Sequence, residues 1–153
     1  MSYPNTAPLL GTATVASPAG ATTTVGTAIV ANLEASDSVL LVLSVVGHAG
    51  GVLDVYVQSR HGAGNWVDVA HVPQLGDGAG AITYRIPLSR YTSILAPVVV
   101  GVAGVPALAA NSVVEGEFGD ALRLVAVGGA GGAGGAVQSC AVYAAACPPG
   151  SHS

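Results

Sequence analysis

The chain has 153 residues, enough for one domain with a single core, and no second domain is required. Hydrophobic residues make up 51% of it and charged residues only 8%, against a usual charged share of about 25%. The net charge is −4 and the only basic side chains besides histidine are Arg60, Arg85, Arg90 and Arg123; this excludes the clustered basic footprint of a nucleic-acid binder, a Walker A or Schiff-base lysine, and attraction to an anionic membrane.

Residues 1–20 are rich in Pro, Ala, Thr and Ser without a period, and read as an extended N-terminal arm that orders on a neighbour. They lack the basic segment and apolar stretch of a signal peptide, so synthesis in the cytoplasm is expected. Residues 22–33 mix Thr, Val and Ile and predict a strand. The run 39–46, VLLVLSVV, is continuous and apolar, as in a central strand covered on both sides. A turn follows at 47–51.

The clearest pattern is VLDVYVQSRHGAGNWVDVAHV, residues 52–72, which predicts a β-hairpin. Leu53, Val55 and Val57 alternate with Asp54, Tyr56 and Gln58 in the first arm. Val67 and Val69 alternate with Trp66, Asp68 and Ala70 in the second. The loop Arg60-His61-Gly62-Ala63-Gly64-Asn65 supplies residues that tolerate positive φ. Pairing Val57 with Val67 and Val55 with Val69 gathers the valines on one face. The opposite face then carries Asp54, Tyr56, Gln58, Trp66 and Asp68, the candidate interface or ligand face.

Residues 73–80 predict a loop and 82–88 a half-buried strand that ends at Pro87 or lies at a sheet edge, because proline cannot donate to a ladder. Residues 94–110 are apolar but broken by Pro97, Gly101, Gly104 and Pro106, so they predict strands and turns rather than the about 20-residue span a membrane needs. A short strand is expected at 98–102 and another within 108–118 through Val113 and Val114. Residues 122–127 alternate Leu122, Leu124 and Ala126 against Arg123, Val125 and Val127, a glycine-rich loop covers 128–135, and 137–146 fit a strand better than a helix. Short strands between Gly and Pro turns give an all-β fold, an antiparallel β-sandwich of jelly-roll or related type with about seven or eight strands. The domain spans 21–147, with a C-terminal tail over 148–153.

No motif carries catalytic chemistry. Gly129, Gly131 and Gly134 have G-x-G-x-x-G spacing, but no acidic residue follows Asp120, whereas a dinucleotide site needs one about 20 positions on. His48, His61, His71 and His152 show no ligand spacing, and the carboxylates Asp54, Asp68, Glu115, Glu117 and Asp120 form no acid–base pair. No enzyme, metal or cofactor is expected. Cys140 and Cys147 would lie roughly 23 Å apart on one strand, which leaves two small thiols or an intermolecular disulfide. Trp66 and Tyr56 admit two readings, a patch for a sugar or a subunit, or packing beneath a loop or sheet. So few charges cannot coat a surface, so part of it is expected to be covered by copies of the chain or by a larger assembly.

The hairpin resembles the pattern L-D-V-x-V-Q-x-S-x-D-G-x-x-W-x-D of small accessory virion proteins of tailed bacteriophages, through Leu53, Asp54, Val55, Val57, Gln58, Trp66 and Asp68. More loosely, residues 122–127, the glycine-rich turn and the last strand resemble the closing segment of that family. The chain departs from it in carrying Arg60-His61-Gly62-Ala63-Gly64 where Asp-Gly is usual, and Gly-Ala repeats where Thr-Ser-Pro is usual. The resemblance implies a β-sandwich structural protein of the virion, a capsid decoration or cement protein bound to the major capsid protein across capsomers. A homo-oligomer, with a trimer as the guess, is expected on the capsid surface. A carbohydrate-binding module of a head fibre or tail accessory is the alternative.

Overall fold

The computed structural model describes residues 9–17, 23–30, 38–46, 51–61, 64–76, 81–89, 112–113, 119–129 and 135–145. These residues are all-β, paired antiparallel throughout, with no helix among them. Ten strands run in chain order: β1 (Leu9–Ser17), β2 (Thr23–Val25), β3 (Ile29–Val30), β4 (Ser38–Val46), β5 (Leu53–His61), β6 (Asn65–His71), β7 (Ile82–Ser89), β8 (Ser112–Val113), β9 (Ala121–Gly128) and β10 (Gly135–Ala145). One sheet has the order β1-β10-β4-β7; the other has the order β2-β9-β5-β6-β8, with β3 also on β9.

The period of two sets the core. Val39, Leu41, Leu43 and Val45 of β4 are buried, and Leu53, Val55 and Val57 of β5 join them with Leu122, Leu124 and Ala126 of β9 and Ile86 and Leu88 of β7. Side chains from both sheets thus form one apolar cluster. Burying each of these Val, Leu and Ile side chains is worth about 1.5–3 kcal/mol. The other face of β4, with Leu40, Val42 and Ser44, is half-buried, so the strand expected to be covered on both sides is fully buried on one. Pro87 lies within β7, opposite Leu40. It is tolerated there because β7 ends the order of its sheet among the described residues, where a missing donor need not break a ladder.

Several expectations are corrected. Residues 9–17 of the expected arm form β1, paired with β10. The strand expected over 22–33 is two short pieces, β2 and β3, both on β9. The hairpin loop is shorter than expected, because Arg60 pairs with Trp66 and His61 with Asn65. Its last residue, Gly64, has φ 101°, a left-handed conformation that closes a three-residue loop and favours glycine. Within 73–80, Leu75 returns to the sheet through paired backbone bonds with Leu53, 2.9 and 3.0 Å, and packs in the core. The expected strand at 98–102, Cys147 and the tail at 148–153 lie outside the described residues.

Candidate functional site

The hairpin register differs from the expected one. Val57 faces Ala70 and Val67 faces Ser59, with a shift between Val57 and Gln58. The shift is a bulge at Val69 and Ala70, two consecutive residues that both enter the apolar cluster. An extra residue on one strand reverses the alternation beyond it. Ala70, expected on the polar face, is therefore in the core, and His71 takes the place that strict alternation would deny it, beside Tyr56.

The five candidate residues share one face, and the fold joins them to five more: Arg60, His71, Gln74, Asp120 and Arg123. Gln58 and Asp68 are opposite each other and each is only 1% exposed. The Gln58 amide donates to Asp68 Oδ1 at 2.8 Å, and its oxygen accepts from Arg123 Nε at 2.8 Å. The neighbours fix the amide orientation, since a carboxylate needs the NH2 and a guanidinium needs the oxygen. Gln58 thus links a buried carboxylate to a cation, and both hydrogen bonds are charge-assisted.

Arg123 also stacks over Trp66, its guanidinium carbon 4.2 Å from the ring centroid, within cation–π range. Burial lowers the Arg123 pKa, opposed by the charge of Asp68. Arg60 lies 6.0 Å from the same ring centroid and pairs with Asp120, Nε to Oδ1 at 2.8 Å, with a second contact between its terminal nitrogen and Asp120 Oδ2. The Arg60 hydrogen bond lowers the Asp120 pKa, and the same bond raises that of Arg60.

The approach of Asp120 depends on Gly119. Its N–H donates to Ser59 Oγ at 2.8 Å, and a Cβ at this position would collide with the Arg60 carbonyl. Ser59 in turn donates to the Ala121 carbonyl at 3.3 Å, so the buried hydroxyl ties the start of β9 to β5.

At the other end of the face, His71 is 5% exposed and stacks on Tyr56, ring centroids 3.8 Å apart and planes 23° apart. His71 Nε2 lies 2.9 Å from Asp54 Oδ1, and Gln74 Nε2 donates to Asp54 Oδ2 at 2.9 Å. Desolvation raises the Tyr56 pKa, helped by the charges of Asp54 and Asp68.

Sequence reading gathered Asp54, Tyr56, Gln58, Trp66 and Asp68 correctly on one face but missed their partners. Arg60 belongs to β5, paired with Trp66, and not to the loop, and the bulge brings His71 opposite Tyr56. Arg123 carried a signal, as the lone charge in an apolar strand, but its strand neighbour was not legible. Among the described residues, no group of three or more His, Cys, Asp or Glu is placed to hold a metal ion, and no helix is long and apolar enough to cross a membrane. Arg60 pairs with Asp120, Gln58 bridges Asp68 to Arg123, and His71 and Gln74 bond Asp54, so the face is a hydrogen-bonded polar surface on which most of the charge is partnered. Comparison with family models, with curated proteins and with solved structures found no match for this chain.

Proposed function

We propose that this chain is a structural virion protein of a tailed bacteriophage, a decoration or cement protein that acts as a homo-oligomer bound to the major capsid protein across capsomers. The two sheets would face each other as a β-sandwich of jelly-roll or related type, a reading supported by the single apolar cluster that draws on both. The protein would be made in the host cytoplasm and reside on the capsid surface.

The observation that carries this reading is where the charges go. Of twelve charged Asp, Glu, Lys and Arg residues in the chain, Asp54, Arg60, Asp68, Asp120 and Arg123 are engaged with one another or with polar neighbours on the hairpin face. They do little to coat the rest of the molecule. Meanwhile Val25 is 50% exposed and Ile82 39% exposed. A surface of this kind is suited to burial against other subunits. Across a capsomer seam, each standard interface of about 1,600 Å² would have to be broken before the shell opens. No chemical step is involved.

The carbohydrate-binding alternative has weaker support, because Trp66 and Tyr56 already carry stacked partners, Arg123 and His71. The test is reconstitution. Particles depleted of the protein should regain it at a fixed stoichiometry and resist heat better once it is added back. A soluble monomer that ignores particles and binds glycans would overturn the proposal.

A further inference from the structure

We propose that Arg123, held over Trp66, receives a carboxylate of the major capsid protein, an Asp or Glu side chain seated in the fork of its two terminal nitrogens. The inference deepens the assembly reading above and rests on it, because it names a contact by which the hairpin face docks. Two arginines meet one indole ring, and they are unequally served. Arg60, 6.0 Å from the Trp66 centroid, is answered within the chain by Asp120, which meets its Nε and a terminal nitrogen. Arg123 is closer to the ring, at 4.2 Å, yet only its Nε is bonded, to the neutral amide oxygen of Gln58 at 2.8 Å. Its terminal nitrogens have no hydrogen-bond partner among the described residues. Asp68 does not fill that place: its Oδ1 accepts from the Gln58 amide, so Gln58 stands between the two charges.

Arg123 is also preorganised for an outside partner. Gln58, 1% exposed, holds its Nε, and the Trp66 ring lies against the guanidinium, so much of the freedom a surface arginine loses on binding is already gone. Arg123 is half-buried, and this desolvation lowers its pKa, which means that water hydrates the cation incompletely. A planar guanidinium with both terminal nitrogens unbonded matches the two oxygens of a carboxylate. Such a partner would restore the solvation that burial removes.

The rest of the face selects what brings the carboxylate. A sugar acid lacks a platform, because Trp66 and Tyr56 already carry stacked partners, Arg123 and His71. A small free carboxylate would gain one partly exposed ion pair, which contributes little alone; a protein surface adds the further contacts that keep it in place. A second copy of this chain is ill suited, since its described carboxylates Asp54, Asp68 and Asp120 are each already hydrogen-bonded on this same face. An acidic side chain of the capsid protein is the occupant that remains.

The test uses particles depleted of the protein as the probe, with wild type, Arg123→Lys and Asp120→Asn as full chains. Lysine keeps the charge and loses the fork; urea midpoints and Trp66 fluorescence check that each variant is folded. Wild type should bind the particles, and Arg123→Lys should bind about tenfold or more weakly. Asp120→Asn alters the arginine already paired within the chain and should not weaken binding. Phenylglyoxal labelling of wild type, read at Arg123 by mass spectrometry, needs no variant: Arg123 should be modified in the free protein and protected on particles. Equal binding by Arg123→Lys, or equal labelling of Arg123 free and bound, would overturn this site and leave the assembly reading standing, whereas wild type that ignores particles would overturn both. Loss of self-association in Arg123→Lys with particle binding intact would give the site to a second copy. Quenching of Trp66 by an oligogalacturonate, without particle binding, would give it to a sugar acid, and either result overturns the proposal.

Discussion

At the scale of single residues, Arg123 holds the hairpin face together. It satisfies the oxygen of Gln58, offsets the buried charge of Asp68 through that amide, and lies over Trp66. Replacing it with alanine removes a charged hydrogen-bond partner, which costs about 1–3 kcal/mol. Lysine keeps the charge but loses the planar stack, so its effect should be intermediate. Trp66 is the only tryptophan, and its fluorescence reports the result directly. The Arg123→Ala variant should unfold at lower urea and its native emission should move to the red; an unchanged midpoint and spectrum would remove Arg123 from this role.

The Arg60–Asp120 pair makes a different prediction. Because its folded pKa is depressed below the ordinary carboxylate value, Asp120 contributes stability that is present at neutral pH. That contribution is lost as pH falls through the depressed value. Wild type and Asp120→Asn should therefore differ most near neutrality and converge in acid. Both side chains are partly exposed, so added salt should shrink the difference. Urea denaturation across pH at two ionic strengths reads both trends, and parallel profiles would refute the assignment.

At the scale of elements, the bulge in β6 and the glycine before β9 organise the face. Val69 and Ala70 both turn into the core, and this doubling brings His71 round to Tyr56. No hydropathy pattern marks such a bulge in VDVAH, because alanine fits either face of a strand. The period of two was legible; the point where it breaks was not. Gly119 has the complementary role of permitting close approach. Gly119→Ala would force a Cβ against the Arg60 carbonyl and shift the backbone by which β5 and β9 meet. Overpacking of this kind costs about 1–3 kcal/mol. Thermal unfolding should show a clear loss for this variant, whereas Gly76→Ala, where a Cβ meets nothing, should be much milder; equal effects would discount the close approach.

At the scale of the whole molecule, the question is what covers a surface with so little charge. Val25 and Ile82 are open on strands of different sheets. Exchanging both for threonine keeps the β-branched shape of valine and approximates that of isoleucine, and surface changes of this sort usually alter stability by no more than about 0.5 kcal/mol. If these positions are docked in an assembly, the double variant should keep its urea midpoint and lose oligomer or particle occupancy. Retention of both would place the contact surface elsewhere.

The all-β class was readable from the chain itself, because alternation of side chains follows from the geometry of a strand and needs no partner to be recognised. So was the sharing of one face by Asp54, Tyr56, Gln58, Trp66 and Asp68. The tertiary structure decided what that face is made of. Arg123 reaches Gln58 across 65 positions of sequence, and Asp120 reaches Arg60 across 60. It also drew Leu9–Ser17 into a sheet with the far end of the chain. Contacts at such separations arise from strand order and register, which depend on which residues of the two sheets meet in the apolar cluster, and no local pattern encodes them.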